Sequence, residues 1–293
     1  MSNEFLNYSL SGFSSSPDAL TWTFVGGLSG SNIVVPAYGN GKWVTAAYNT
    51  AHAYTSPYGI TWTAQALPSV QYWSGVAYGA GKFVLISGTN VISTSPDGIT
   101  WTNQTLPTIS GLNQVIFVNG QFVIVGGGGS ATSPDGTTWT IGANASIGST
   151  SCVAYGNGVY CVMNYSFSTG LTSTDGLTWT THTVPTATWR SISFGVGLFC
   201  LFGDYTGNSY YTSPDGVTWT ARTSLPASRQ WSIRPQSSLF ADNRFVVVTA
   251  DSGSGIAAVS FDGLTWSSNS LSTVTNYGVT YPPTATSQIV MVI

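Results

Sequence analysis

The chain has 293 residues, and its hydrophobic content of 42% with 13% aromatic residues supplies a packed core and excludes a disordered segment. Charged residues make up only 6%, against about 25% in an ordinary domain, and seven cationic residues cannot build the basic surface that nucleic acid requires. No apolar run approaches the roughly 18 residues of a membrane span, so we expect no membrane insertion.

The remaining composition shows no secretory signal and argues against a metal site. The opening Met1-Ser2-Asn3-Glu4 has no basic or apolar region typical of a signal peptide, which a mature or unconventionally exported chain would also lack. Three cysteines, Cys152, Cys161 and Cys200, form neither a disulfide framework nor a zinc site without nearby histidines. We expect small buried residues there, and we predict no cofactor and no metal.

One short motif, Ser95 to Trp101 (S-P-D-G-I-T-W), recurs with small changes throughout the chain. Proline presets φ for a tight turn, aspartate bonds back to the backbone, and glycine takes the left-handed conformation. Because Tyr58 replaces the aspartate in one copy, we predict turn formers rather than shared ligands or catalytic acids. The copies end in tryptophans about 40 residues apart, as in repeat proteins: Trp22, Trp62, Trp101, Trp139, Trp179, Trp219 and Trp266.

Each repeat predicts four short antiparallel strands joined by hairpins, and almost no helix. The sequence opens within a repeat and closes with the complementary part, which favours a closed ring over an open solenoid. We therefore predict an all-β, seven-bladed β-propeller as a single domain, 1–293, whose last blade is closed by both termini. The predicted blades are about 33–66, 75–105, 113–143, 151–183, 191–223, 237–270, and 278–293 plus 7–24.

The last predicted blade combines strands from both ends of the chain. We expect its first strand at Gly278-Val279-Thr280-Tyr281, its second from Ser287 to Ile293, and its third near Tyr8-Ser9-Leu10.

These S-P-D-G-x-T-W copies resemble the Asp-box, or BNR, repeat of sialidase-like propellers, with one residue fewer between aspartate and glycine. Repeats of this shortened form resemble those of bacteriophage and bacterial surface proteins. The resemblance implies the propeller fold and a virion or extracellular surface location. It carries no activity, since Asp-boxes in that family lie at turns far from the active site.

Candidate ligand-binding residues lie in the loops opposite the S-P-D-G turns, where a rigid scaffold holds them. One set lies between blades: Tyr72, Trp73, Trp189 and Arg190. A second set, between the second and third strands, contains Tyr48, Tyr165 and Asp204. Aromatic rings beside amide and carboxylate groups suit a sugar, although Trp73 and Trp189 at equivalent positions could instead fill the gap between blades.

The longest interval, before Trp266, contains an irregular segment at 226–236 with Arg229, Trp231 and Arg234. Arginine and tryptophan dominate binding surfaces. We predict that Trp231, with Arg229 or Arg234, contacts a ligand or a neighbouring subunit.

The sequence favours a non-enzymatic binding or structural module. A glycosidase needs two placed carboxyl groups, yet the only glutamate is Glu4, and His52 and His182 have no recognisable nucleophile. The leading hypothesis is a virion tail-fibre, receptor-binding or decoration protein whose partners are cell-surface glycans or other surface subunits. A free carbohydrate-binding lectin is the alternative, and a sialidase-like glycosidase is the least favoured.

Overall fold

The computed structural model describes residues 5–9, 12–19, 23–26, 28, 33–106, 109–142, 147, 150–165, 168–204, 210–223, 225, 238–248, 254–272 and 276–282. These residues form 28 strands in seven four-stranded antiparallel sheets and no helix. The expectation of an all-β chain with repeated four-stranded sheets is confirmed.

The strands are numbered in chain order. β1 (Phe5–Ser9), β2 (Gly12–Ser16) and β3 (Thr23–Gly26) pair with β28 (Asn276–Thr280) in sheet 7. Sheet 1 has β4 (Ala37–Gly39), β5 (Lys42–Ala46), β6 (Thr50–Ser56) and β7 (Thr63–Gln71). Sheet 2 has β8 (Trp73–Gly79), β9 (Lys82–Ser87), β10 (Val91–Ser95) and β11 (Thr102–Thr105). Sheet 3 has β12 (Leu112–Val118), β13 (Gln121–Gly126), β14 (Gly129–Ser133) and β15 (Thr140–Ile141).

Three further sheets follow the same order. Sheet 4 has β16 (Thr150–Gly156), β17 (Val159–Asn164), β18 (Thr169–Ser173) and β19 (Thr180–Thr183). Sheet 5 has β20 (Thr188–Gly195), β21 (Leu198–Asp204), β22 (Tyr210–Ser213) and β23 (Thr220–Arg222). Sheet 6 has β24 (Ser238–Ala241), β25 (Arg244–Val248), β26 (Ser254–Ser260) and β27 (Ser267–Ser272).

Sheet 7 corrects one predicted strand assignment. Its second strand is β1, which pairs directly with β28; the predicted second strand, 287–293, lies outside the described residues. The register gives the reason, because Phe5 pairs with Ser16 as Phe83 pairs with Ser95 in sheet 2. Residues 5–9 therefore have the second-strand position, and the third strand is β2 rather than a strand near Tyr8.

The S-P-D-G turn is held by one serine and one carboxylate. Asp97 Oδ1 accepts hydrogen bonds from the amides of Ile99 and Thr100, both at 2.8 Å, and from Ser95 Oγ at 2.9 Å. Ser95 Oγ in turn accepts from the amide of Gly98 at 2.8 Å. The same set of bonds recurs at Asp135, Asp175, Asp215 and Asp262. The predicted role of these aspartates as turn formers is confirmed.

These bonds favour the ionised carboxylates. The amide of Thr178 contributes most at Asp175, and the amide of Thr265 contributes most at Asp262; both pKa values fall to about 2. The amide of Thr100 likewise lowers the pKa of Asp97. Each carboxylate therefore stays charged at any pH near neutrality.

Five of the turn glycines sit against the second strand of the preceding sheet. Gly98, at φ 74°, would place a Cβ atom 2.8 Å from Val44 Cγ2 of sheet 1. In later junctions the residue beneath the glycine is Val84, Val123, Cys161 or Cys200.

The two cysteines at these positions are fully buried, and burial raises the pKa of both thiols. Cys152 is buried as well and no disulfide forms. The prediction that the cysteines are small buried residues is confirmed.

Aromatic side chains of the first strands also join neighbouring sheets. A Cβ atom on Gly39 would lie 2.0 Å from the ring of Tyr78 in the next sheet, and a Cβ on Gly79 would lie equally close to Phe117. The ring of Phe117 packs in turn on Phe122 of its own sheet, with centroids 4.7 Å apart. Sheet 7 reaches sheet 1 through Thr280 Oγ1, which donates to the carbonyl of Pro36 at 3.0 Å.

The antiparallel order places the loops of every sheet at two opposite ends. We call the end with the first hairpins and the S-P-D-G turns the turn face. We call the end with the second-to-third-strand loops and the connections between sheets the loop face. Six of the nine aspartates belong to S-P-D-G-type turns, so the turn face is the acidic one.

A glycine pair tests the packing of turn against neighbouring strand. Gly98→Ala combines positive φ with a contact against Val44, whereas Gly81→Ala at φ 77° meets nothing within 4 Å. We expect Gly81→Ala to lower the free energy of unfolding by about 1–2 kcal/mol, and Gly98→Ala by a further 1–3 kcal/mol, roughly. Denaturant unfolding measures both; equal losses would show that the turn does not depend on its neighbour.

The turn carboxylates predict acid sensitivity. Their native pKa values lie below the unfolded value of about 3.9, so their stabilisation is complete above that pH and is lost as pH falls towards about 2. We expect the free energy of unfolding to fall between about pH 5 and pH 2. Asp175→Asn should be less stable at neutral pH and lose less on acidification; an unchanged pH slope would contradict the turn network as the cause.

Candidate functional site

An exposed aromatic pair lies on the loop face between sheets 1 and 2. Tyr48 belongs to the loop after β5, and Tyr72 is the single residue between β7 and β8. Their ring centroids are 4.9 Å apart with planes tilted by 34°, and the two side chains are 48% and 47% exposed. Two large rings thus present apolar area to solvent at a junction rather than inside a sheet.

Three hydrogen bonds hold the chain around this pair in place. The amide of Gly88 in sheet 2 donates to the carbonyl of Tyr72 at 2.8 Å. Trp73 Nε1 donates to the carbonyl of Thr50 in sheet 1 at 3.0 Å, and Thr89 Oγ1 donates to Gln71 Oε1 at 3.2 Å. The pair is therefore presented on a backbone that both sheets hold in place.

Polar groups border the pair along the outer strands. Ser69 Oγ accepts hydrogen bonds from Asn103 Nδ2 at 2.7 Å and from Gln71 Nε2 at 3.2 Å. Val70, between them, is 58% exposed. The surroundings are amide and hydroxyl groups with no charged side chain among these residues, which suits a neutral, hydroxyl-bearing ligand.

A related contact lies between sheets 4 and 5. Arg190 Cζ lies 4.4 Å from the ring centroid of Tyr165. Tyr165 occupies the same loop position as Tyr48, because each follows the second-strand aromatic of its sheet by the same number of residues. Arg190 lies at the register shift that the first strand of sheet 5 makes after Trp189. The sequence placed all of these residues in the loops without indicating which would meet.

Two candidate residues are packing residues, which corrects their assignment as ligand contacts. Trp73 is 2% exposed and Trp189 is fully buried. The Trp189 ring meets Tyr211 edge to face, with centroids 5.5 Å apart. Both rings fill the space at sheet junctions, which was the alternative that the sequence left open.

The other candidates are only partly located. Asp204 ends β21. Arg229, Trp231 and Arg234 lie outside the described residues, so their predicted contact stays a prediction.

The described residues hold no group of three or more metal-binding side chains. No helix in the described part of the chain is long and apolar enough to cross a membrane.

Sequence reasoning missed the pairing of Tyr48 with Tyr72. The signal was present in the equal spacing of Tyr48 and Tyr165 from the preceding strand. It could not be used, because the partner of each tyrosine comes from the following sheet.

No protein-family model matches the sequence, and no curated relative does. Among solved structures, the chain is similar to YCF48 bound to D1 peptide, with 14% identity, a TM-score of 0.66, and coverage of 87% of this chain and 93% of that one. YCF48 from Cyanidioschyzon merolae gives 15% identity and a TM-score of 0.60, covering 81% and 84%. Virginiamycin B lyase from Staphylococcus aureus gives 11% identity and a TM-score of 0.67, covering 83% and 85%.

These neighbours establish the fold alone: the chain is a β-propeller. They also correct the expectation that the chain is not an enzyme. That expectation rested on the missing carboxylate pair of glycosidases, and a lyase with the same fold shows that other chemistry uses this scaffold.

The two junction aromatics at sheet 2 have separable roles. We expect Trp73→Ala to lower the free energy of unfolding by about 3–5 kcal/mol, because a buried ring is lost. Tyr72→Ala, at a half-exposed position, should cost less than about 1 kcal/mol. Urea unfolding of both variants checks this, and a large loss for Tyr72→Ala would assign that ring to the core.

Proposed function

We propose that this chain is a seven-bladed β-propeller displayed on a virion or cell surface, where its loop face binds a glycan. The observation that carries the proposal is the exposed Tyr48–Tyr72 pair on a backbone fixed by both neighbouring sheets. Preorganised aromatic rings lose little entropy when a ligand binds.

The blade number is part of the proposal. Each of sheets 1 to 6 packs against the next sheet in the chain, and sheet 7 packs against sheet 6. The hydrogen bond from Thr280 to Pro36 joins sheet 7 to sheet 1. These contacts support one closed ring in which each sheet is a blade.

The chemistry of the patch supports a carbohydrate. A sugar ring has an apolar face that packs on an aromatic ring, and its hydroxyl groups need donors and acceptors at the edge. Tyr48 and Tyr72 supply the rings, and Gln71, Ser69 and Asn103 supply amide and hydroxyl groups. The Arg190–Tyr165 contact offers a second position where a ring is combined with positive charge.

The surface location rests on the sequence. The shortened Asp-box-like turns resemble those of bacteriophage and bacterial surface proteins, and the charge-poor, Ser/Thr/Gly-rich chain suits display on a particle. The segment 226–236, with Arg229, Trp231 and Arg234, is the further predicted contact for a glycan or a neighbouring subunit.

A glycan array with matched tyrosine variants tests the site. We expect the wild-type chain to bind one class of sugar, and Tyr72→Ala or Tyr48→Ala to weaken that binding by about tenfold or more. The control is Tyr58→Ala, which removes a tyrosine that is 69% exposed on the turn face; its binding should be unchanged.

Two results would contradict the proposal. Either no glycan is bound by the wild-type chain, or Tyr58→Ala weakens binding as much as Tyr72→Ala. Particle size in solution separates display from a free lectin, because a subunit assembles onto a larger particle and a lectin acts as an isolated chain.

A further inference from the structure

The junction between sheets 5 and 6 departs from the repeat on the turn face. At two other junctions an asparagine of the first hairpin donates to the carbonyl of the turn proline in the next sheet. Asn40 Nδ2 bonds Pro96 O at 3.3 Å, and Asn157 Nδ2 bonds Pro214 O at 2.8 Å. At the sheet 5–6 junction the asparagine position holds Val196 and the proline position holds Phe261. These two residues occupy the equivalent positions on either side of the junction, and we call them the Val196–Phe261 patch.

Val196 is unfavourable for folding at this position. Its φ is 44°, in the left-handed region that asparagine adopts readily, as at Asn40 (φ 47°) and Asn157 (φ 48°). A β-branched residue is a clear outlier there, and such strain costs about 1–3 kcal/mol. Burial does not offset the cost, because Val196 is 56% exposed.

Phe261 also gains little from its own fold. Its side chain is 65% exposed, and Arg244 Cζ lies 5.5 Å from the ring centroid. A phenylalanine ring in place of a turn proline, with an arginine beside it, combines two residue types that are enriched at protein interfaces. Backbone strain at Val196, the exposure of both side chains and the loss of the asparagine donor therefore occur together at these two positions.

The charge around the patch distinguishes possible occupants. The turns on its two sides carry Asp215 and Asp262. Burial acts to raise the pKa of Asp215, but hydrogen bonds from the turn outweigh it, and the pKa of both carboxyl groups is lowered, so both are ionised at neutral pH. Two cations of this face bond to turn carbonyls, since Lys42 Nζ donates to Asp97 O and Arg244 donates to Asp18 O. A second copy would present the same acidic face and be repelled, whereas a basic partner would be attracted.

We propose that the Val196–Phe261 patch docks a basic polypeptide segment of a partner protein, whose apolar side chains cover Phe261 and whose lysines or arginines approach Asp215 and Asp262. The surface is opposite the glycan site, so one chain can hold its ligand on the loop face and its partner on the turn face. This inference does not depend on the glycan.

The chain itself supplies the variant that tests it. Val196→Asn with Phe261→Pro restores the pair found at Asn157 and Pro214, leaves the net charge unchanged, and should be at least as stable as the wild type. Binding is measured by fluorescence anisotropy with a short labelled peptide of alternating lysine and leucine. The comparison peptides replace each lysine by glutamate or each leucine by serine.

The proposal predicts that the wild-type chain binds the lysine–leucine peptide at least about tenfold more tightly than the double variant does. Both comparison peptides should bind the wild type more weakly, and Tyr72→Ala on the loop face should bind like the wild type. Equal affinity for the wild type and the double variant would overturn the proposal, because non-specific charge attraction is the same in both. Sedimentation that shows a wild-type dimer and a monomeric double variant would also overturn it, in favour of a second copy.

Discussion

The hydrogen bonds of the serine and aspartate in the aspartate-bearing turns are the interaction on which the rest of the structure depends. One carboxylate oxygen accepts hydrogen bonds from two backbone amides and one hydroxyl group, and the oxygen of that hydroxyl accepts a hydrogen bond from the glycine amide. This local closure fixes the glycine in a left-handed conformation against the neighbouring strand. A turn that satisfies its own backbone therefore also sets the distance between sheets, and the same few atoms serve local and long-range order.

Much of the fold could be predicted because its signal is local. Proline, aspartate and glycine specify the turn whatever surrounds them, and the repeat multiplies that signal. The second strand of sheet 7 could not be chosen this way, because residues 5–9 and 287–293 both have the pattern of a second strand. Only the register of Phe5 against Ser16 distinguishes them.

The candidate site was harder to predict because its residues meet across junctions. Tyr72 and Trp73 are adjacent in sequence, yet one is half exposed and the other is buried. The difference comes from sheet 1, which accepts the indole hydrogen bond at Thr50 and places Tyr48 over Tyr72. The residues that make these contacts lie more than 20 positions away in the sequence. The sequence therefore indicated the region of the candidate site but not which residues form it. For the same reason the absence of a familiar catalytic pair could not decide whether this fold catalyses a reaction.

Within the described residues, the hydrogen bonds that run from a first hairpin to the turn of a neighbouring sheet point the same way around the array. Asn40 and Lys42 of sheet 1 donate to the turn of sheet 2, Gln121 of sheet 3 donates to the turn of sheet 4, and Arg244 of sheet 6 donates to the turn of sheet 7. Sheets 1, 3, 4 and 6 thus each support the turn of the following sheet. Damage to one of these first hairpins therefore acts in one direction. It loosens the turn of the following sheet, while the turn of its own sheet keeps its donors.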